Sequence, residues 1–168
     1  MSGHSRWSQI KHQKAITDKK KGQLFSKLTK LIYLAAKKGI NPETNLELKS
    51  AIEKARSVNM PNENIQRALN KISDKSVQLE ELTIEAIGPG GIALRIKAIT
   101  DSHNRTISEL KKILSDHNSK MVHPGSISWI FQQSAHIADP AVNKALDELF
   151  EVLDDHDDVE DVESNIQE

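Results

Sequence analysis

Apolar residues recur at three- to four-residue spacing between Leu24 and Ile72, and near Gln78 they switch to every second position, so the chain reads as a helical part followed by a mixed one. Leu24, Leu28, Leu31, Ile32 and Ala35 define a first helix. Gly39 stops it, with Lys37 and Lys38 in the last turn, where the helix dipole favours cations. Asn45 is expected to cap a second helix with Leu48, Ala51, Ile52 and Ala55 inward. Pro61 opens a third, whose apolar face is Ile65, Ala68, Leu69 and Ile72. Three amphipathic helices with short connections predict a small bundle.

Beyond Gln78, Leu82, Ile84 and Ala86 alternate with polar neighbours and run into Gly88-Pro89-Gly90-Gly91, the pattern of a strand entering a tight turn. Ile92, Leu94, Ile96 and Ala98 return as the hairpin partner, with Arg95 and Lys97 on the other face. Asn104 is expected to cap a helix bearing Ile107, Leu110, Ile113 and Leu114, with Thr106 and Glu109 at capping-box spacing. Ile127, Trp129 and Phe131 alternate and predict a third strand. Asp139 and Pro140 start a last helix carrying Val142, Leu146, Leu149, Phe150 and Leu153, and Val162 to Ile166 is a closing strand. The expected fold class is α+β: a basic three-helix bundle over residues 1–76, then a ββαβαβ single-sheet domain over 77–168 that ends acidic.

Charge changes the picture more than composition does. The first 38 residues hold ten Lys or Arg against Asp18 alone, a net +9, whereas residues 139–168 hold twelve acids against Lys144. The overall charge of −1 conceals this asymmetry, and a basic end is where a phosphate backbone would be attracted. A helix that is merely soluble mixes signs through Glu–Lys pairs; here one acid accompanies ten bases. Candidate nucleic-acid contacts are therefore Arg6, Lys11, His12, Lys14, Lys19, Lys20, Lys21 and Lys27, with Lys19, Lys30 and Lys37 roughly on one helical face. Trp7 either stacks on a base or anchors the arm beside Ile10. Asn104 and Arg105 join this set because free amides at a helix start attract phosphate.

No catalytic constellation emerges. Histidines 4, 12, 103, 117, 123, 136 and 156 lack His-x-x-x-His spacing, Ser5, Ser26 and Ser126 lack a nucleophile elbow, and IGPGG lacks the Lys and Ser/Thr of a P-loop. With no cysteine there are no disulfides and no thiolate sites. No apolar run approaches the roughly 20 residues of a bilayer helix, and no secretory leader is seen. These features predict a cytoplasmic, non-enzymatic protein with no cofactor, no metal, no small-molecule substrate and no membrane partner.

The motifs GHSRWSQIKHQKAITDKKKGQLFSKL, IGPGG, DSHNRT, PGSISWIF and LFEVLDDHDDVEDV, in this order, closely resemble the YebC/PmpR family of probable transcriptional regulatory proteins. That family also includes the mitochondrial translational activator of cytochrome oxidase subunit I, and other members look like ribosome-associated factors. The resemblance implies control of gene expression through nucleic acid, either promoter DNA or ribosomal RNA, with the ribosome itself as a candidate partner. Family members usually carry a third domain inserted within the second, and here only residues 132–138 separate the Phe131 segment from the Asp139 helix, so a short form is expected. The opposing reading is a protein-interaction module whose acidic helix binds a basic partner.

Overall fold

The computed structural model describes residues 18–167, which divide into two compact units: a helical one (18–80 with 99–101) and an α+β one (81–98 with 102–167). The helical unit holds α1 (Asp18–Ala36), α2 (Leu46–Ser57) and α3 (Asn62–Asn70), followed by a 3-10 turn at Lys71–Ser73. Leu28, Ile32, Ala35 and Ala36 of α1 bury against Leu48, Ala51, Ile52 and Ala55 of α2 and Ile65 and Ala68 of α3, with Met60 filling the bend between the last two. The alanines allow close helix approach, and the larger aliphatics supply the apolar area that drives packing.

Asn45 caps α2 as expected: its Oδ1 accepts from Leu48 N at 3.1 Å, while its Nδ2 donates to Ala35 O and Gly39 O at 2.8 and 2.7 Å, so one side chain ties the end of α1 to the start of α2. Gly39, at φ +151°, takes the backbone past the end of α1. The connector to the sheet is held as well. Tyr33 Oη donates to Val77 O at 2.6 Å and Lys37 Nζ to Leu79 O at 3.0 Å.

The α+β unit contains β1 (Glu80–Ile87), a 3-10 turn at Pro89–Gly91, β2 (Ala93–Thr100), α4 (His103–Asp116), β3 (Lys120–Val122), a single helical turn α5 (Ser128–Phe131), α6 (Pro140–Asp154) and β4 (Val159–Ser164). The four strands form one sheet in the order β3-β1-β2-β4, with β3 antiparallel to β1 and β4 antiparallel to β2. Ile84, Ala86, Leu94, Ile96, Val159 and Val162 point to one face, where Leu110 and Leu114 of α4 and Leu146, Leu149, Phe150 and Leu153 of α6 cover them. The ββαβαβ order follows, with both long helices on that face.

Three local expectations are corrected. Residues 127–131 are not a strand; the third strand is Lys120–Val122, and Ser128–Phe131 is a helical turn. Ile127 is buried while Trp129 is exposed, so the two do not share a side. An apolar residue at every second position over five residues fits a helical turn as well as a strand, and only the available backbone partners decide. The closing strand begins at Val159 rather than Val162, because a bulge at Lys97/Ala98 pairs Asp161 with Lys97 and Val159 with Ala98. Glu160 is thereby skipped, and the inward residues sit three apart, which hides the alternation. Finally, α4 begins at His103 with Ser102 at the N-cap position, so Asn104 lies inside it and Thr106 is buried instead of serving a capping box.

Candidate nucleic-acid interface

Residues 18–80 carry thirteen Lys or Arg against seven acids, a net +6, whereas residues 81–167 carry seven against sixteen, a net −9. Within the first set Lys19 and Lys21 are exposed and Lys20 half-buried at the start of α1, a cluster of three cations on consecutive residues. Lys27, also expected from sequence to contact nucleic acid, is only 7 % exposed. Lys30 is half-buried, and Lys37 lies over the Tyr33 ring, 5.3 Å from its centroid. The single face expected for Lys19, Lys30 and Lys37 is therefore uneven. Exposed Lys49, Lys54 and Arg56 on α2 were not singled out from sequence because Glu47 and Glu53 beside them mask a local excess. Arg6, Trp7, Lys11, His12 and Lys14 lie outside the described residues.

Arg105 departs most from expectation. Its Nη2 sits 2.8 Å from Asp158 Oδ2 and its Nη1 3.1 Å from Glu109 Oε2, so one guanidinium bridges two carboxylates. Asp158 is buried and also accepts from Thr106 Oγ1 at 2.8 Å. Asp158 N donates to His156 Nδ1 at 3.1 Å, which leaves the ring hydrogen on Nε2 to face Glu109 Oε2 at 2.9 Å. Glu109, His156 and Asp158 bring ligand-type atoms within 4.8 Å of one another, but the guanidinium is inserted between the two carboxylates and both ring nitrogens of His156 are engaged. The arrangement is a closed ion-pair network joining α4 to the turn before β4. Asn104 remains exposed beside it.

A second polar network lies on the sheet face opposite the helices. Arg95 contacts Glu85 at 3.2 Å and Glu163 at 3.4 Å, and Lys97 also pairs with Glu163. Partial burial pushes the Glu163 carboxyl up, yet the Lys97 bond and charge together with the Arg95 charge outweigh it and hold the group below its ordinary value. Above this network passes a strap, residues 123–137. Gly125 N donates to Glu85 Oε2 at 2.7 Å, and the Phe131 ring lies 4.5 Å from the Arg95 guanidinium carbon. Asn165 fastens the other end: its Nδ2 donates to Gln133 O at 3.0 Å and Ile130 O at 3.3 Å, and its Oδ1 accepts from Ala93 N at 3.0 Å.

Residues 5–75 match the family described as the TACO1/YebC protein N-terminal domain, and residues 79–165 match the TACO1/YebC second and third domain. The chain belongs to the TACO1/YebC family. Its two matched regions meet within the connector whose Val77 and Leu79 carbonyls are bound by Tyr33 and Lys37. Among TACO1/YebC relatives, a probable transcriptional regulatory protein of Dictyoglomus turgidum is 47 % identical over 140 residues, covering 82 % of this chain and 56 % of that protein. One from Pseudothermotoga lettingae is 43 % identical over 170 aligned positions, covering 94 % of this chain and 67 % of the relative. The chain thus spans little more than half to two thirds of the length of these relatives. A crystal structure of a conserved hypothetical protein from Aquifex aeolicus superposes with a TM-score of 0.84 at 28 % identity, covering 97 % of each chain. Among the described residues, no helix is long and apolar enough to cross a membrane.

Proposed function

We propose that this chain is a non-enzymatic, nucleic-acid-binding regulator of gene expression in the cytoplasm. Its primary reading is a transcriptional regulator acting on promoter DNA, in line with the names of its TACO1/YebC relatives. The observation that carries the proposal is the separation of charge: a net +6 over residues 18–80, to which residues 1–17 add Arg6, Lys11 and Lys14 and no acid, beside a strongly acidic α+β unit. Lys19, Lys20 and Lys21, with Lys11, Lys14 and Arg6, would hold phosphates and gain affinity mainly by releasing condensed counterions. Trp7 and His12 would contribute contacts from the same arm. Asn104 keeps its place as a candidate, whereas Arg105, paired with Glu109 and Asp158, is chiefly a structural cation.

A second reading, ribosomal RNA on the ribosome, is favoured by the chemistry of the candidate set. It is dominated by lysine, a point charge suited to backbone contact, and Arg105 is already bound to carboxylates. About 4 to 6 phosphate contacts give a log-log salt slope of roughly −4 to −5 on duplex DNA or −3 to −4 on single strands. Replacing Lys11, Lys14, Lys19, Lys20 and Lys21 by Ser is expected to weaken binding to all sequences alike while the melting curve stays in place. A slope near zero would overturn the electrostatic reading and favour a protein-interaction module. Crosslinking in cells with sequencing of the bound nucleic acid separates promoter DNA from ribosomal RNA.

A further inference from the structure

We propose that Trp129 is a stacking platform for an unpaired base, which makes the strap of the α+β unit a contact surface for single-stranded nucleic acid. The inference rests on the nucleic-acid-binding reading above and extends it to a unit whose net charge points the other way.

Trp129 is 60 % exposed, on the single turn of α5. Its mounting is rigid. The turn is held by Gly125 N on Glu85, by the Phe131 ring against Arg95 and by Asn165 Nδ2 on the Ile130 and Gln133 carbonyls, so little ordering would be needed to present the indole. The exposed residues around it in sequence are Ser126, Ser128, Gln132 and Gln133, hydroxyls and amides able to bond base edges. In a stretch with sixteen acids over residues 81–167, the segment from His117 to Ala138 contains none. Strand alternation also turns Lys120, paired with Ile87, to the sheet face that the strap crosses.

These features select the occupant. A protein-docking patch gathers several apolar side chains, but the other large exposed hydrophobics, Ile40, Leu46 and Val152, lie in the helical unit or on α6, which packs against the opposite sheet face. A lone aromatic among small polar residues, in the one acid-free stretch of that length in its unit, suits a base: every base has a π face, and the carboxylates beneath the strap, Glu85 and Glu163, are already paired with Arg95 and Lys97. Bases inside a duplex are already stacked, so the contact is confined to single strands.

The test uses the full chain with Trp7→Phe, which leaves Trp129 as the sole indole, titrated with an oligouridine of about 12 nucleotides and with a hairpin duplex of equal length. Trp129 emission is expected to be quenched by the single strand. Trp129→Ala should weaken single-strand binding about 5- to 150-fold, Trp129→Phe should retain most of it, and duplex affinity should not change. Unchanged single-strand affinity in folded Trp129→Ala, absence of quenching, or an equal loss on both ligands would each overturn the proposal. So would a nuclease-resistant protein partner lost on Trp129→Ala. If the parent protein binds neither ligand, the nucleic-acid reading falls as well; if it binds and Trp129→Ala is silent, the platform alone falls.

Discussion

Replacing Arg105 by Ala removes the guanidinium that bridges Asp158 and Glu109 and leaves the buried Asp158 carboxylate, 4 % exposed, with the Thr106 hydroxyl at its Oδ2 but without this counter-charge. Breaking a fully buried pair from one side costs about 3–5 kcal/mol. Arg105 is 43 % exposed, so solvent screens part of its interaction, and the retained hydroxyl reduces the loss further; about 1.5–3 kcal/mol is expected. Urea denaturation followed by circular dichroism would read this as a midpoint lowered by on the order of 1 M. Arg105→Lys should fall between, since an ammonium restores charge but cannot bridge both carboxylates in the same fork. Combining Arg105→Ala with Asp158→Asn should cost less than the sum of the single changes, because the neutral amide no longer needs the cation. A loss below about 0.5 kcal/mol for Arg105→Ala, the level of an ordinary surface substitution, would refute the network as a stabilising element.

Asn165→Ala strips two bonds from the strap and strands the Ala93 amide, and is expected to destabilise by about 2–4 kcal/mol with faster hydrogen exchange at Ala93; unchanged protection there would contradict the fastening role. Gly91→Ala, at φ +74° with open space around it, should cost about 1 kcal/mol from backbone strain alone, whereas at Gly90, φ +70°, the new Cβ would also stand 2.8 Å from Val142 Cγ1. Gly90→Ala is therefore the worse of the two, and Val142→Ala should rescue it in part; equal melting temperatures for the two alanine variants would show that Val142 yields freely. Because the folded Glu163 carboxyl is held below its ordinary value of 4.5, its contribution is present above that pH and lost as pH falls through the lowered value. The parent's melting temperature should then drop more steeply than that of Glu163→Gln below about pH 4.5, and parallel curves would argue against the Lys97 and Arg95 contacts as the cause.

Much of the architecture was legible because it rests on local rules. Helical periodicity marked α1, α2 and α3, the amide of Asn45 marked a cap, and Gly-Pro-Gly-Gly marked the turn between β1 and β2. The motifs from the basic arm to the acidic end marked the family, since their order and wording are specific. The strap was illegible for a different reason. Whether Ile127 to Phe131 extends or coils depends on which groups capture its flanks, and those are Glu85, Arg95 and Asn165, between about 30 and 45 residues away in sequence.

Charge content likewise belongs to the sequence, but the assignment of each charge does not. That the first 38 residues carry a net +9 follows from composition alone, and it holds whatever the fold. Which cations face solvent was decided by packing: Lys27 is buried, Lys37 is bound to a carbonyl, Lys19 and Lys21 are exposed. Arg105 looked like a phosphate contact because a helix start attracts anions, and the fold met that preference with Asp158 from the chain's own far end. Periodicity and capping act over a few residues, so they can be read along a chain. The pairing of Arg105 with Asp158, and the solitary exposure of Trp129, depend on segments brought together only when the sheet closes.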